Sequence, residues 1–136
     1  MLPRISQVLD FQAQALVLRA DRQRLIASNI ANADTPGFQA REMDFAAALR
    51  EATAGAATAG TVLRTHAAHI APTLNLASER HLRWAAASQS SLDGNSVDMN
   101  RERASFADNA VRYEASLRFI NGSVRTMLDA IRGQSQ

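Results

Sequence analysis

Apolar residues recur with helical spacing at both ends of this chain and lose that order in the middle. Toward the C-terminus, Met99, Phe106, Tyr113, Ile120 and Met127 stand seven residues apart. Arg103, Ala110, Leu117, Val124 and Ile131 fall between them, so a 4-3 spacing persists for nearly five heptads. Only Arg103 is out of keeping with a buried seam. Such a repeat predicts a helix that pairs in coiled-coil fashion. Asp98 is a good N-cap for it, and Gly133 can adopt the left-handed stop after Arg132. Asp108 to Arg112 and Glu114 to Arg118 are acid-then-base pairs at i,i+4, which support a helix by a few tenths of a kcal/mol each. At ~1.5 Å per residue the element spans roughly 50 Å.

The N-terminal pattern predicts a second long helix, from about Ser6 to Asn32. At 100° per residue, Ile5, Val8, Leu9, Leu16, Ile26, Ala27 and Ile30 share one face. Phe11, Leu18 and Leu25 form another stripe a quarter turn or more away. A helix apolar on two sides needs neighbours on both. Gln12, Arg19 and Gln23 interrupt the main stripe, as polar seam residues do when they set register at some cost in stability. The helix is expected to end through Asn29 and Asn32, the residue type that best tolerates a left-handed end after glycine. Thr35-Pro36-Gly37 then pairs a fixed φ with a residue free to take positive φ, the recipe for a type II turn leading into Phe38.

The middle is less ordered. Asp44 is placed to cap a short helix over residues 45–52. Residues 53–61 have no large side chain, cannot bury enough apolar surface to offset chain entropy, and are expected to form a linker. Short apolar clusters follow at Val62-Leu63, Leu74-Leu76 and Leu82-Trp84 without a sustained period, compatible with a hairpin or irregular packing. The chain therefore divides into an N-terminal helix plus turn (1–38), a middle segment (39–97) and a C-terminal heptad helix (98–136). The expected fold is mostly α and elongated. Its terminal helices pair in an antiparallel, coiled-coil-like hairpin, with an irregular or small β segment between them. Two helices alone bury too little to be comfortable as a monomer, so the surplus apolar faces point to a subunit of an assembly.

Composition narrows the chemistry. Of 136 residues, 46% are hydrophobic but only 5% aromatic, and alanine supplies much of the rest, which suits close-packed helices better than a globular core. There is no cysteine, so disulfide frameworks and thiol chemistry are excluded. All 15 basic residues are arginine, yet 13 acids are interspersed and the net charge is only +2, the pattern of solvated or salt-bridged helix faces rather than of a nucleic-acid binder. No run approaches the ~18 apolar residues of a membrane span. Met1-Leu2-Pro3-Arg4 does not open a cleavable signal, so a route out of the cytoplasm would have to leave the chain uncleaved.

No catalytic or ligand-binding constellation stands out. His66, His69 and His81 lack carboxylates at useful spacing for zinc, which needs three or four rigidly held ligands. There is no Gly-x-Ser-x-Gly or phosphate-binding glycine loop. Asp93-Gly94-Asn95-Ser96-Val97-Asp98 evokes a calcium loop, but glycine falls at the second position and Ala104 at the twelfth, so a turn into the final helix is the better reading. Arg19, Arg22 and Arg24 do not form one continuous stripe. No enzyme activity, cofactor, metal, small-molecule substrate or nucleic acid is expected.

Ala31-Asn32, Thr35-Pro36-Gly37 and Phe38 together resemble the signature of bacterial flagellar rod and hook axial proteins. The segments Leu18 to Gln23, Gln39 to Phe45, Leu92 to Met99, Phe119 to Gly122 and Ala130 to Gly133 are similar to the flagellar basal-body rod proteins, and among these to the short proximal-rod subunits of the B type. The resemblance covers most of residues 1–50 and 90–133 and does not extend to the middle. It implies a structural subunit of the proximal rod that self-assembles and packs with other axial proteins through its terminal helices to transmit torque. It further implies export without a cleaved signal through the flagellar type III apparatus, and a place in the basal body across the periplasm. The partners implied are other rod subunits, the membrane-ring and rod-junction proteins and that export apparatus. The expected assembly interface comprises Leu9, Leu16, Ile26, Ile30, Phe106, Tyr113, Leu117, Ile120, Val124, Met127 and Ile131. The signature turn comprises Asn29, Asn32, Thr35, Pro36, Gly37 and Phe38. A cytoplasmic coiled-coil adaptor that binds a partner helix is the alternative.

Overall fold

The computed structural model describes residues 2–54, 76–86 and 92–133. Two long helices dominate, α1 (Leu2–Ala31) and α4 (Met99–Arg132), and they pack against each other. Cross-contacts run from Asn29 to Glu102 and from Arg19 to Ser116, so the pair is antiparallel. The caps of α4 follow from local sequence. The Asp98 carboxylate accepts from the backbone N–H groups of Asn100 and Arg101, and Gly133 closes the helix at φ 67°. Asp108–Arg112 and Glu114–Arg118 pair at 2.8 and 2.6 Å on its exposed surface.

A small lobe sits on one flank of α1. It contains β1 (Arg41–Met43), α2 (Phe45–Ala54), α3 (Leu76–Arg80) and β2 (Leu82–Trp84). The strands pair antiparallel, with Arg41 opposite Trp84 and Met43 opposite Leu82. Bonds from Ala85 N to Ala40 O (2.9 Å) and from Asp44 N to His81 O (3.1 Å) extend the ladder at both ends. The ordered β element in the middle thus joins a strand just after the first turn to one some forty residues later. The Asp44 carboxylate accepts from Ala47 N at 3.0 Å and starts α2, which runs two residues beyond the expected end at Ala52. The linker from residue 55 onward, Val62-Leu63, Leu74, His66 and His69 lie outside the described residues.

The apolar core lies in this lobe. Leu18, Met43 and Ala48 are buried, with Leu25, Phe45, Leu49, Ala52 and Leu82 packed around them. Full burial of a leucine such as Leu18 contributes about 2 kcal/mol. Leu18 and Leu25 belong to the minor stripe of α1, so the lesser apolar face carries the core. The reason is tertiary: α2 and the strands come down on that side of the helix.

Candidate functional site

Where α1 and α4 meet, the contact is polar. The buried positions of α4 are Glu102, Asn109 and Ser116, one heptad apart. Asn109 donates to the Gln23 side-chain oxygen at 2.6 Å and to the Arg19 carbonyl at 2.9 Å. Arg19 Nε donates to Ser116 Oγ at 3.2 Å. Asn29 Nδ2 donates to Glu102 at 3.3 Å and to the Arg41 carbonyl at 2.8 Å, while its oxygen accepts from Arg41 N at 3.2 Å. Three polar rungs therefore set how the helices stand against each other. Arg19 and Gln23, polar interruptions in the α1 stripe, supply two of them. One acceptor is left over: Asn109 Oδ1 is buried without a partner among the described residues.

Arg19 also reaches sideways. Its guanidinium carbon lies 4.6 Å from the centroid of the Phe45 ring, so one side chain ties α1 to both α4 and α2. Burial, with Arg112 and Arg22 nearby, lowers its pKa from the ordinary arginine value.

At the closed end of the hairpin the two glycine-containing turns fit together. Thr35 to Phe38 forms a turn closed by Phe38 N to Thr35 O at 3.2 Å, with Gly37 at φ 73° as a type II geometry requires. Gly37 N donates to Asp93 O at 2.8 Å, and Ser96 N donates to Phe38 O at 3.0 Å. Ser96 Oγ accepts from Ala40 N at 2.7 Å, and Gln39 Nε2 donates to Gly94 O at 3.0 Å. Asn95 Nδ2 is shared among the carbonyls of Asn32, Ala33 and Thr35 at 2.8–2.9 Å, while its oxygen accepts from Val97 N. The Asn95 amide thus adds a donor to three carbonyls just past the end of α1, of which those of Asn32 and Thr35 also accept the backbone N–H groups of Thr35 and Phe38.

This corrects the expected stop of α1. No non-glycine described residue has positive φ, so neither Asn29 nor Asn32 makes a left-handed end. Asn29 lies inside the helix, buried against Arg41 and Glu102, and the Asn32 side chain donates back to Ser28 O at 2.8 Å. Thr35 Oγ1 meets Asn32 Oδ1 at 3.3 Å, joining the signature asparagine to the turn.

The remaining residues of the expected interface fall into three groups. Ile26 is buried inside the chain. Leu9, Leu16, Ile30, Tyr113, Ile120 and Met127 are half-buried. Phe106, Leu117, Val124 and Ile131 are exposed, at 40%, 36%, 39% and 72% respectively. The exposed four form one apolar row along α4, beside the polar rungs. Where this row begins, an open apolar groove of ≈ 340 Å³ is lined by Ala27, Ile30, Ala31, Arg103 and Phe106. Val8, Phe11 and Val17 are exposed apolar residues on α1.

Two ion-pair clusters hold the lobe together. Glu51 takes Arg80 and the His81 imidazole at 2.7 Å each, and Arg83 pairs with Asp44. The hydrogen bonds from Arg80 and then His81 hold the Glu51 carboxyl below its usual value. The Ala47 N–H, helped by Arg83, does the same for Asp44. His81 is thereby a structural partner of Glu51. Among the described residues no group of three or more histidines or acids is gathered to hold a metal ion, and no helix is long and apolar enough to cross a membrane.

Sequence reasoning missed Glu102, Asn109, Ser116, Asn95 and Ser96 as contact residues. A signal for the first three was present: they form a polar heptad of their own, one position before Arg103, Ala110 and Leu117.

Comparison with known proteins bears on this geometry. A family model described as "Flagella basal body rod protein" matches residues 9–39, which span most of α1 and the signature turn. The flagellar basal body rod protein FlgB of Proteus mirabilis (strain HI4320) is 43% identical over 135 residues, covering 97% of this chain and 98% of the relative. The FlgB proteins of Salmonella typhimurium and Escherichia coli K12 are each 42% identical, over 98% and 97% of this chain and 99% and 98% of their own lengths.

Proposed function

This chain belongs to the flagellar basal body rod proteins, and we propose that it builds the proximal part of the rod through its two terminal helices. It is a structural subunit of the basal-body rod and associates with other components of the basal body. The observation that carries the reading is end-to-end similarity to rod proteins at 43% identity. The exposed row Phe106, Leu117, Val124 and Ile131 supports it, because a contiguous apolar row left in water marks an interaction surface.

In this reading the role is mechanical rather than catalytic. The polar rungs and the interlocked turns orient α1 against α4, and the exposed apolar residues pack on neighbouring rod subunits. Torque then passes along helices held at a set angle. Other rod subunits, the membrane-ring and rod-junction proteins and the type III export apparatus are the partners. The chain reaches the periplasm by that apparatus without cleavage. The adaptor alternative is not favoured, since the relatives are named as rod proteins.

Electron microscopy of basal bodies from a strain lacking the gene tests the proposal. Membrane rings without rod or hook, restored by complementation, together with labelled protein in the purified rod, are expected. Complete rods and hooks in the deletion strain would overturn it.

A further inference from the structure

One stretch in the interior of α4 is at odds with the helix around it. Asn121, Gly122 and Ser123 follow one another there, and all three are weak helix formers, glycine the weakest after proline. Nothing in the folded chain calls for glycine at this place. The described glycines with positive φ are Gly37, Gly94 and Gly133, so Gly122 is not needed for a left-handed turn. A Cβ built on Gly122 would meet no atom within 4 Å, so no described neighbour needs the missing side chain either. Adjacent glycine and serine are a common cause of helix kinks. Thr126 Oγ1 also donates back to the Gly122 carbonyl at 3.0 Å, a bond that competes with the helical one and bends helices.

The ties that hold α4 lie before this stretch. Glu102, Asn109 and Ser116 are its buried residues and carry the rungs to α1. Its i,i+4 ion pairs end with Glu114–Arg118. Beyond Gly122 no described residue of α4 is buried, and no side-chain hydrogen bond or ion pair among the described residues joins 123–132 to α1. A segment with so few anchors opens more readily than the part it continues. Local choices that oppose the global fold, as Gly122 does here, are expected where a chain has a use for them.

We propose that α4 is jointed at Gly122: residues 99–120 stay locked on α1, while residues 123–132 swing as a second helical arm. The joint falls inside the exposed apolar row, with Phe106 and Leu117 on the fixed arm and Val124 and Ile131 on the swinging one. A change of angle at Gly122 therefore re-aims the end of the row without breaking a rung. The joint itself is a property of the chain; its use in the basal body rests on the rod reading.

Because the chain has no cysteine, spin labels can be attached at chosen exposed positions alone. Ala107→Cys with Ala130→Cys spans the joint, at roughly 35 Å along a straight helix, and Ala104→Cys with Phe119→Cys stays on the fixed arm, at roughly 22 Å. Pulsed electron paramagnetic resonance of the full chain should give a distance distribution about twice as wide for the spanning pair as for the fixed-arm pair. Gly122→Ala should narrow the spanning distribution to the width of the fixed-arm pair. Asn121→Ala with Ser123→Ala should narrow it part of the way while leaving the glycine in place. Equal widths for the two pairs in the parent chain, or a spanning width indifferent to these changes, would overturn the joint. In cells, both stiffened chains should lose swimming at normal protein levels, in the order of their stiffening. Swimming impaired by Gly122→Ala alone would mean that the added methyl group obstructs a neighbour, and swimming impaired by neither would mean that the angle is never changed; either result would overturn the use of the joint. Absence of the chain from basal bodies would overturn the rod reading and that use with it, while the distance distributions would still decide the joint itself.

Discussion

The side-chain amide of Asn95 donates to the backbone carbonyl of Thr35 at 2.9 Å, across a sequence separation of 60 residues. The same amide reaches Asn32 O and Ala33 O, so one residue before α4 terminates α1 and braces the turn after it. The two helices of the hairpin are thereby joined at the place where both chain directions change.

Replacing Asn95 with alanine leaves those carbonyls without their side-chain donor. The expected loss is about 1–2 kcal/mol, typical of hydrogen-bond partners removed from partly buried groups. Asn95→Asp should be at least as damaging at neutral pH, because a carboxylate would face carbonyl oxygens. Urea unfolding followed by circular dichroism measures both, and unchanged midpoints would remove Asn95 from the list of determinants.

The rung between Asn109 and Gln23 calls for a double-mutant cycle. Asn109→Ala alone should destabilise the chain by about 1–3 kcal/mol, since Gln23 and the Arg19 carbonyl lose their donor in a partly buried place. Asn109→Leu with Gln23→Leu should be neutral or stabilising, because it also removes the unpartnered Asn109 oxygen. A double variant weaker than either single change would contradict this account of the seam.

Acid should loosen the lobe before it melts the long helices. Glu51 and Asp44 are held below their ordinary values in the folded chain, by Arg80 and His81 and by the Ala47 N–H respectively. Their stabilising contribution is therefore complete above about pH 4–4.5, where they ionise in the unfolded chain, and is lost as pH falls through the lowered folded values. Trp84, the single tryptophan and part of β2, reports on the lobe by fluorescence. Its emission should change below pH 4 at higher pH than the helical ellipticity does. In Glu51→Gln that acid-dependent change should shrink.

Leu117→Arg probes the exposed row. Leu117 is already 36% exposed, so an arginine there can be solvated in the free chain, and the thermal midpoint should move little. Motility should nevertheless be abolished, because a charge would stand in the packing surface. Swimming at the normal rate with normal protein levels would argue that Leu117 is not in an interface.

Much of this architecture was legible because it is local. The caps at Asp98 and Gly133, the start of α2 at Asp44, the turn at Gly37 and the i,i+4 pairs on α4 each depend on residues a few positions apart. The 3.6-residue period likewise identifies both long helices wherever their partners lie. The candidate contact residues were less legible. Asn29 reads as a helix stop until Arg41 and Glu102 are brought to it.

By itself, then, the sequence determined the helices, the caps of α4 and the start of α2, their antiparallel return and the kinship of the signature turn with axial proteins, because hydrogen-bond periodicity and capping are short-range. The tertiary structure decided which faces are used. It turned the minor stripe with Leu18 and Leu25 toward the lobe core, set Glu102, Asn109 and Ser116 against α1, and left Phe106, Leu117, Val124 and Ile131 in water. Hydrophobic burial has no direction of its own, so an apolar pattern cannot say which partner covers it. Contacts across tens of residues can.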